Sequence, residues 1–237
     1  PTKNPPEHAS KEQNQGIPSA SIEEYLEAVF RLLETNQERY AKTGELAELL
    51  KVAPASVTQM IQKLAARKYL VYRKGRGVRL TQKGREVALD VLRRHRVAEL
   101  LLVDLLGVSW EEAHEVACRW EHILTKEMCD RILERLGEPA TCPHGNPIPN
   151  GEGRIVQVET EALADLREGD EAVIDCISNE NPDLLRIMAS MGMLPGEQVK
   201  VLQIAPRGDT LLIEVGTAQF ALSRSLATQI KVRREPK

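Results

Sequence analysis

The sequence predicts a mainly α chain with a small β domain at its C-terminal end. Three observations predict it. Apolar residues recur at helical spacing through most of the first 136 positions, residues 137–153 hold four prolines and four glycines, and short alternating apolar runs follow from about 172 to 222. Composition agrees. A chain of 237 residues, 42% hydrophobic, 28% charged and only 3% aromatic, is neither collagen-like, rod-like nor wholly disordered. No run nears the ~20 apolar residues of a membrane span, and Asp104 interrupts even Leu100–Leu106. The polar start, residues 1–20, has no apolar stretch and is expected to be a disordered tail, not a signal peptide.

Each element has its own signal. Ile22, Tyr25, Leu26, Val29, Phe30 and Leu33 follow the i, i+3, i+4, i+7 rule and predict a helix over 20–35. Thr43 caps a short helix, Gly44–Leu50, with Leu46, Leu49 and Leu50 inward. Lys51–Ala53 is a tight turn, and Pro54 occupies the first turn of a helix reaching about Arg67, striped by Val57, Met60, Ile61 and Leu64. Residues 70–73 and 78–80 alternate around Lys74-Gly75-Arg76-Gly77, which makes a hairpin. Helix, helix, turn, helix and basic hairpin together are a winged helix-turn-helix, assigned to 21–94. Thr81 caps a long helix to about Leu106, and Ser109-Trp110-Glu111-Glu112 reads as a capping box opening a helix that ends at Gly137. Their leucines and valines form a helical pairing surface between subunits, over 95–140. A Pro/Gly linker, 141–153, leads to 154–237, where runs at 172–177, 199–205, 211–215 and 219–222, interrupted by a helix at Asp183–Met191, make a small β barrel.

Charge is uneven although the net is −3: residues 51–94 carry 12 basic against 2 acidic side chains, and 95–237 carry 15 against 24. A basic block on a winged helix is the footprint of a face that meets phosphate. Pro54, Ser56, Thr58, Gln59 and Lys63 on the second helix of the motif, and Arg73, Lys74, Arg76 and Arg79 on the wing, are the candidate DNA contacts. Hydroxyl, amide and ammonium groups suit base edges and phosphates.

A second constellation lies downstream. His114, Cys118, Glu121 and His122 share an arc of ~100° on one predicted helix, and His95 and Glu99 are four apart on the preceding one. Imidazole, thiolate and carboxylate on shared faces are ligands for a divalent transition ion. The four cysteines, Cys118, Cys129, Cys142 and Cys176, contain no CxxC pair and are expected as reduced thiols in a cytoplasm.

His95-Arg96-Val97-Ala98-Glu99, Ala117-Cys118-Arg119-Trp120-Glu121-His122 and Gly145-Asn146-Pro147-Ile148-Pro149, in that order behind a winged helix, resemble the diphtheria-toxin-repressor family over about 20–234. These are metal-dependent transcriptional repressors with iron- and manganese-sensing branches. The resemblance implies that the last domain is an SH3-like, FeoA-type barrel, around Gly192-Met193-Leu194-Pro195-Gly196. It implies a regulatory site of Cys118, Glu121, His122 and Glu24, the last from the first helix, where periodicity alone leaves Glu24 and Glu27 as solvated acids. A second site would use His95, Glu99 and His114, or would pair Glu99 with the Cys142-x-His144 of the linker, with Asp183 as the candidate acid from the barrel.

The function so implied is a repressor that binds a palindromic operator as a homodimer and controls metal uptake. It would hold two ions per subunit, Mn(II) by the hard Glu24 and the Cys-x-His pair, with Fe(II), favoured by the soft Cys118, as the alternative. Carboxylate repulsion would loosen the first helix, and metal would clamp it, setting two recognition helices ~34 Å apart. A DNA-binding protein with a purely structural metal and a metallo-hydrolase compete with this reading. Against the hydrolase, no HExxH, nucleophile elbow or phosphate loop occurs.

Overall fold

The computed structural model describes residues 19–36, 40–156 and 158–234. The expected N-terminal tail lies, but for its last two residues, outside them.

Helix α1, Ala20–Asn36, packs chiefly on the long helix over 82–100 and also on α2, Thr43–Leu49; its Ile22, Tyr25, Leu26, Val29 and Phe30 share one core with residues of both and of α3, Pro54–Ala66. Each such side chain contributes roughly 1.5–3 kcal/mol when fully buried. Pro54 opens α3 as expected, and Val57, Ile61 and Leu64 are its buried stripe. Thr43 does not cap α2. Lys42 holds that position and its backbone N–H donates to Glu45 Oε2 at 2.9 Å, because the chain enters from a bridge pairing Ala41 with Val78. Strands β1, Leu70–Arg73, and β2, Gly77–Leu80, form the expected hairpin, pairing Leu70 with Leu80 and Arg73 with Gly77. Gly77 (φ +115°) is required there, since a Cβ would lie 2.1 Å from Ala41 O.

Thr81 caps α4, Gln82–Leu100, accepting from Gly84 N at 3.1 Å, and a π-helical turn, Leu101–Leu105, prolongs it. The expected single helix to Gly137 is two: α5, Ala113–Trp120, and α6, Lys126–Arg135. The capping box does not form, and Ser109 Oγ is buried without a partner; Glu112 N and Ala113 N donate instead to the Ser109 carbonyl. The break at 121–125 follows from Glu121, which is only 2% exposed and turns back onto α4, while Thr125 caps the new helix through Met128 N. Val97, Leu102, Ala113, Ala117, Leu124 and Cys129 form the core of this middle region.

Residues 141–153, the expected linker, are packed. Cys142, His144 and Asn146 are 3%, 0% and 8% exposed, and Trp110 Nε1 donates to Pro143 O at 2.8 Å. Beyond them a six-stranded antiparallel sheet has the order β3 (Glu161–Ala162), β8 (Ile230–Arg233), β4 (Glu171–Ile177), β5 (Gln198–Ile204), β6 (Thr210–Val215), β7 (Ala218–Ser223). The four strands expected from alternation are present. The two-residue β3 and the four-residue β8 are too short to show it. Helix α7, Pro182–Ser190, is opened by Asn181, whose side chain accepts from Asp183 N and Leu184 N. The sheet closes over Leu163, Ile174, Leu185, Val201, Ile213 and Ile230. No helix among the described residues is long and apolar enough to cross a membrane.

Candidate metal centre

The side chains with chemistry converge where α1, α4, α5, the proline-rich segment and the barrel meet. His95 and Glu99, one turn apart on α4, are fully buried at its centre. His95 Nδ1 lies 2.6 Å from Glu121 Oε2; its Nε2 lies 2.9 Å from Glu99 Oε1 and 3.1 Å from His114 Nδ1. Cys118 Sγ is 3.7 Å from His114 Nε2. All four cysteines are free thiols.

The linker and barrel complete the arrangement. His144 Nε2 lies 2.9 Å from the Trp110 carbonyl, to which it can only donate. In the neutral ring that contact leaves the Nδ1 lone pair to a cation, and in the protonated ring, which Glu99 favours, Nδ1 carries a proton that a cation must displace; it stands 3.1 Å from Glu99 Oε1. Glu180, in the loop before α7 and 5% exposed, places Oε2 at 3.1 Å from His114 Nδ1 and accepts from Asn146 at Oε1, 2.7 Å away. Four overlapping sets bring ligand atoms within 4.8 Å of one another: His95/His114/Cys118, His95/Glu99/His114/Glu180, Glu99/Cys142/His144/Glu180 and Glu27/His95/Glu121.

These donors fit a divalent cation. Ligands at ~2.1 Å and right angles stand about 3 Å apart, which is the spacing of the pairs above. Glu99 Oε2, His122 Nε2 and His144 Nδ1 are buried with no hydrogen-bond partner, a costly arrangement unless a cation takes their lone pairs. Electrostatics agree. Burial and the charge of Glu27 push Glu121 up to about 8. Burial alone would lower His114, yet Cys118, Glu180 and Glu99 raise it to about 11. Burial alone would raise Cys118, yet hydrogen bonds from His114 and His95 bring it down to about 6. Protons thus stand among these acids, and a cation entering must release them.

Of the two other acids expected at the centre, one lies at its edge and one outside it. Glu24 is on the rim of α1, its side chain 53% exposed and its carboxylate 3.8 Å from His122 Nε2. Glu23 and Glu27, only 4% and 7% exposed, face inward; Glu27 is therefore not a solvated acid. Glu23 accepts from Arg94 Nη2 and pairs with His122 Nδ1, both at 2.7 Å. The signal was in the spacing, because Glu23, Glu27 and Arg31 repeat every four residues and share one helix face, whereas residue 24 sits ~100° further round. Asp183 is exposed and pairs with Arg186 at 2.8 Å; the barrel acid at the centre is Glu180, three residues earlier. The acids also do not simply repel, since Arg94, Arg31 and the imidazoles stand among them.

On the winged helix, Pro54, Ser56, Thr58, Gln59 and Lys63 are exposed along α3, and Arg73, Lys74 and Arg76 are exposed on the wing. Thr58 Oγ1 donates to Pro54 O at 3.0 Å, which leaves the Gln59 amide the more available group. Arg73 and half-buried Arg79 lie over the Tyr40 ring at 5.7 and 5.9 Å, an anchor that stiffens the wing.

A basic winged helix joined through α1 to buried carboxylates and imidazoles defines a metal-dependent transcriptional repressor, and comparison with known proteins bears this out. Residues 19–78 match the iron-dependent repressor N-terminal DNA-binding domain, 81–150 the iron-dependent repressor metal-binding and dimerisation domain, and 161–234 the FeoA domain. The chain is 31% identical over 203 residues to the iron-dependent repressor IdeR of Mycobacterium leprae, covering 81% of this chain and 88% of that protein. Among solved structures, T. acidophilum IdeR superposes with a TM-score of 0.79 at 30% identity, over 93% of this chain and all of the other. A manganese-dependent transcriptional repressor in complex with manganese gives 0.80 at 30% identity, over 90% and 100%. The chain belongs to the diphtheria-toxin-repressor, or IdeR, family of metal-dependent repressors, and with that the hydrolase reading falls away.

Proposed function

We propose that this repressor is activated by Mn(II), binds at least two ions per subunit, and holds a palindromic operator as a homodimer in the cytoplasm. One observation carries the reading: four buried carboxylates, Glu27, Glu99, Glu121 and Glu180, meet His95, His114 and His144 at the joint of all three regions. Hard oxygen donors in that number, tempered by imidazole, suit Mn(II). The manganese-complexed relative of like fold supports the choice.

One set would be built from Glu27, His95, Cys118, Glu121 and His122, with Glu24 within reach at the rim, and a second from Glu99, His114, Cys142, His144 and Glu180. When bound, the metal supplies positive charge that binds these carboxylates together. Glu23 and Glu27 tie α1 to α4 and to the turn after α5, and α1 packs on the helix-turn-helix core. The orientation of α3 is thereby coupled to the middle region. Leu105, Leu106, Ile123 and Met128, exposed there, are the apolar surface a second copy would cover. Metal and operator favour one conformer, so each tightens the other.

Fe(II) is the second reading, favoured by the thiols of Cys118 and Cys142. The test is an anaerobic titration of Mn(II) and Fe(II) side by side against a duplex selected from random DNA in the presence of Mn(II). Half-maximal binding at lower free Mn(II) than Fe(II), scaled to cellular levels of each, supports the proposal. Preference for Fe(II) reassigns the metal, and binding that persists after chelation makes the metal structural.

The DNA-contact residues have separable roles. Gln59→Ala is expected to cost about 1–3 kcal/mol on the selected duplex and almost nothing on random DNA. Arg76→Ala should weaken both and lower the slope of log affinity against log salt by about 1. Equal losses for Gln59→Ala on both duplexes would remove it from base readout.

A further inference from the structure

Arg31 joins two of the ligand sets. Its Nη1 donates to Glu180 Oε2 at 2.5 Å, its Nε donates to Glu27 Oε1 at 2.9 Å, and its Nη2 reaches that same Glu27 oxygen at 2.8 Å. The oxygen of Glu180 that it engages is the one facing the imidazoles, 3.1 Å from His114 Nδ1 and 3.9 Å from His95 Nε2. The other oxygen belongs to Asn146. Glu27 in turn stands with His95 and Glu121. One guanidinium thus claims a carboxylate oxygen in each of two metal-ligand sets. It also ties α1, in the DNA-binding region, directly to the barrel.

We propose that Arg31 sets the metal threshold of this repressor: its fixed positive charge competes with a divalent cation for Glu27 and Glu180 and holds the affinity of both sets down. The inference rests on the reading of Glu27 and Glu180 as ligands. The physical reason is Coulombic. A guanidinium in contact with a carboxylate stands about 5 Å from a cation on the same group, and at that range a unit charge inside a protein is worth at least a factor of about 10 in affinity. Arginine suits the task because its rigid fork serves two carboxylates at once and does not lose its proton.

A purely structural strap predicts the opposite sign. If Arg31 only positioned Glu180, its removal would loosen a ligand and weaken metal binding. The experiment is therefore a Mn(II) titration of the chelator-stripped full chain, following free Mn(II) by electron paramagnetic resonance, for wild type, Arg31→Gln, Arg31→Met, Arg31→Lys and Glu180→Gln. Either neutral variant is expected to bind Mn(II) at least about 10-fold more tightly, while Arg31→Lys stays within about threefold of wild type. Circular dichroism establishes which variants fold. Unchanged or weaker binding by a folded neutral variant overturns the proposal. So does failure of both neutral variants to fold while Arg31→Lys folds, since the charge would then serve the fold. Glu180→Gln tests the underlying ligand assignment separately: it is expected to lose one bound ion, and wild-type stoichiometry there would remove Glu180 as a ligand whatever Arg31 does.

Discussion

Glu99→Gln is expected to abolish metal-dependent operator binding, raising the Mn(II) needed for half-maximal occupancy at least 100-fold. The substitution keeps the volume of a side chain that is 0% exposed, so packing is preserved and no cavity is made. What changes is charge and donor pattern. Glu99 Oε1 lies within 2.9–3.4 Å of His95 Nε2, His114 Nδ1 and His144 Nδ1, and Oε2 is buried without a partner. An amide there lacks the negative charge and turns an N–H toward imidazole lone pairs. Partners one step removed from a metal already cost 10–100-fold on mutation, and Glu99 belongs to two of the ligand sets themselves. The carboxylate is held well below its ordinary range: burial opposes this, and His95 and His144 outweigh it. It is thus ionised at neutral pH, and the variant removes a full charge. Operator titrations with Mn(II), beside calorimetry of Mn(II) binding, check the result; an unchanged midpoint would exclude Glu99 from the centre.

Most of the architecture was legible because it rests on local periodicity. The α1 stripe, the Pro54 helix start, the basic hairpin and the Asn181 cap are each written in residues a few positions apart. The centre was legible where its ligands share a helix, as His95 and Glu99 do. It was not legible where tertiary packing decides which way a side chain points. Glu24 and Glu27 both read as polar positions on an amphipathic helix, and only the packing of α4 against α1 makes Glu27 buried while Glu24 stays at the rim. Glu180 and Asp183 flank the same Asn181 cap, and nothing local distinguishes the one that reaches His114 from the one that pairs with Arg186. The break after Trp120 was hidden for the same reason, since residues 110–136 carry helical spacing throughout and the turn exists to bring Glu121 onto His95. The proline-rich stretch reads as a linker, and its composition does not say whether it is packed. Proline and glycine mark irregular backbone, but irregular is not loose when Cys142, His144 and Asn146 are all buried.

Gly145→Ala should separate the second ligand set from the first. Gly145 has φ +83°, and a Cβ there would stand 1.9 Å from Asp175 O and 2.8 Å from Cys176 Cα, both backbone atoms of β4 that no rotamer change can move. The contact it occupies is the seam between the proline-rich segment and the barrel. Ile177 N donates across it to His144 O at 3.1 Å, and Gly145 N closes the turn onto Cys142 O at 2.9 Å. A methyl group must therefore push the segment off the sheet, carrying Cys142 and His144 away from Glu180. His95 stands on α4, Cys118 on α5, and Glu121 and His122 in the turn after it, so these four are expected to keep their places. The expected result is a folded winged helix that binds about one Mn(II) fewer per chain and whose barrel is cut free faster by limited proteolysis, with operator binding shifted to higher Mn(II). The clash is with main chain, so the cost belongs with the overpacking changes of about 1–3 kcal/mol or more. Wild-type stoichiometry together with wild-type protease resistance would mean that the seam yields without disturbing the ligands; wild-type stoichiometry with faster cleavage would mean that the barrel takes no part in holding the ion.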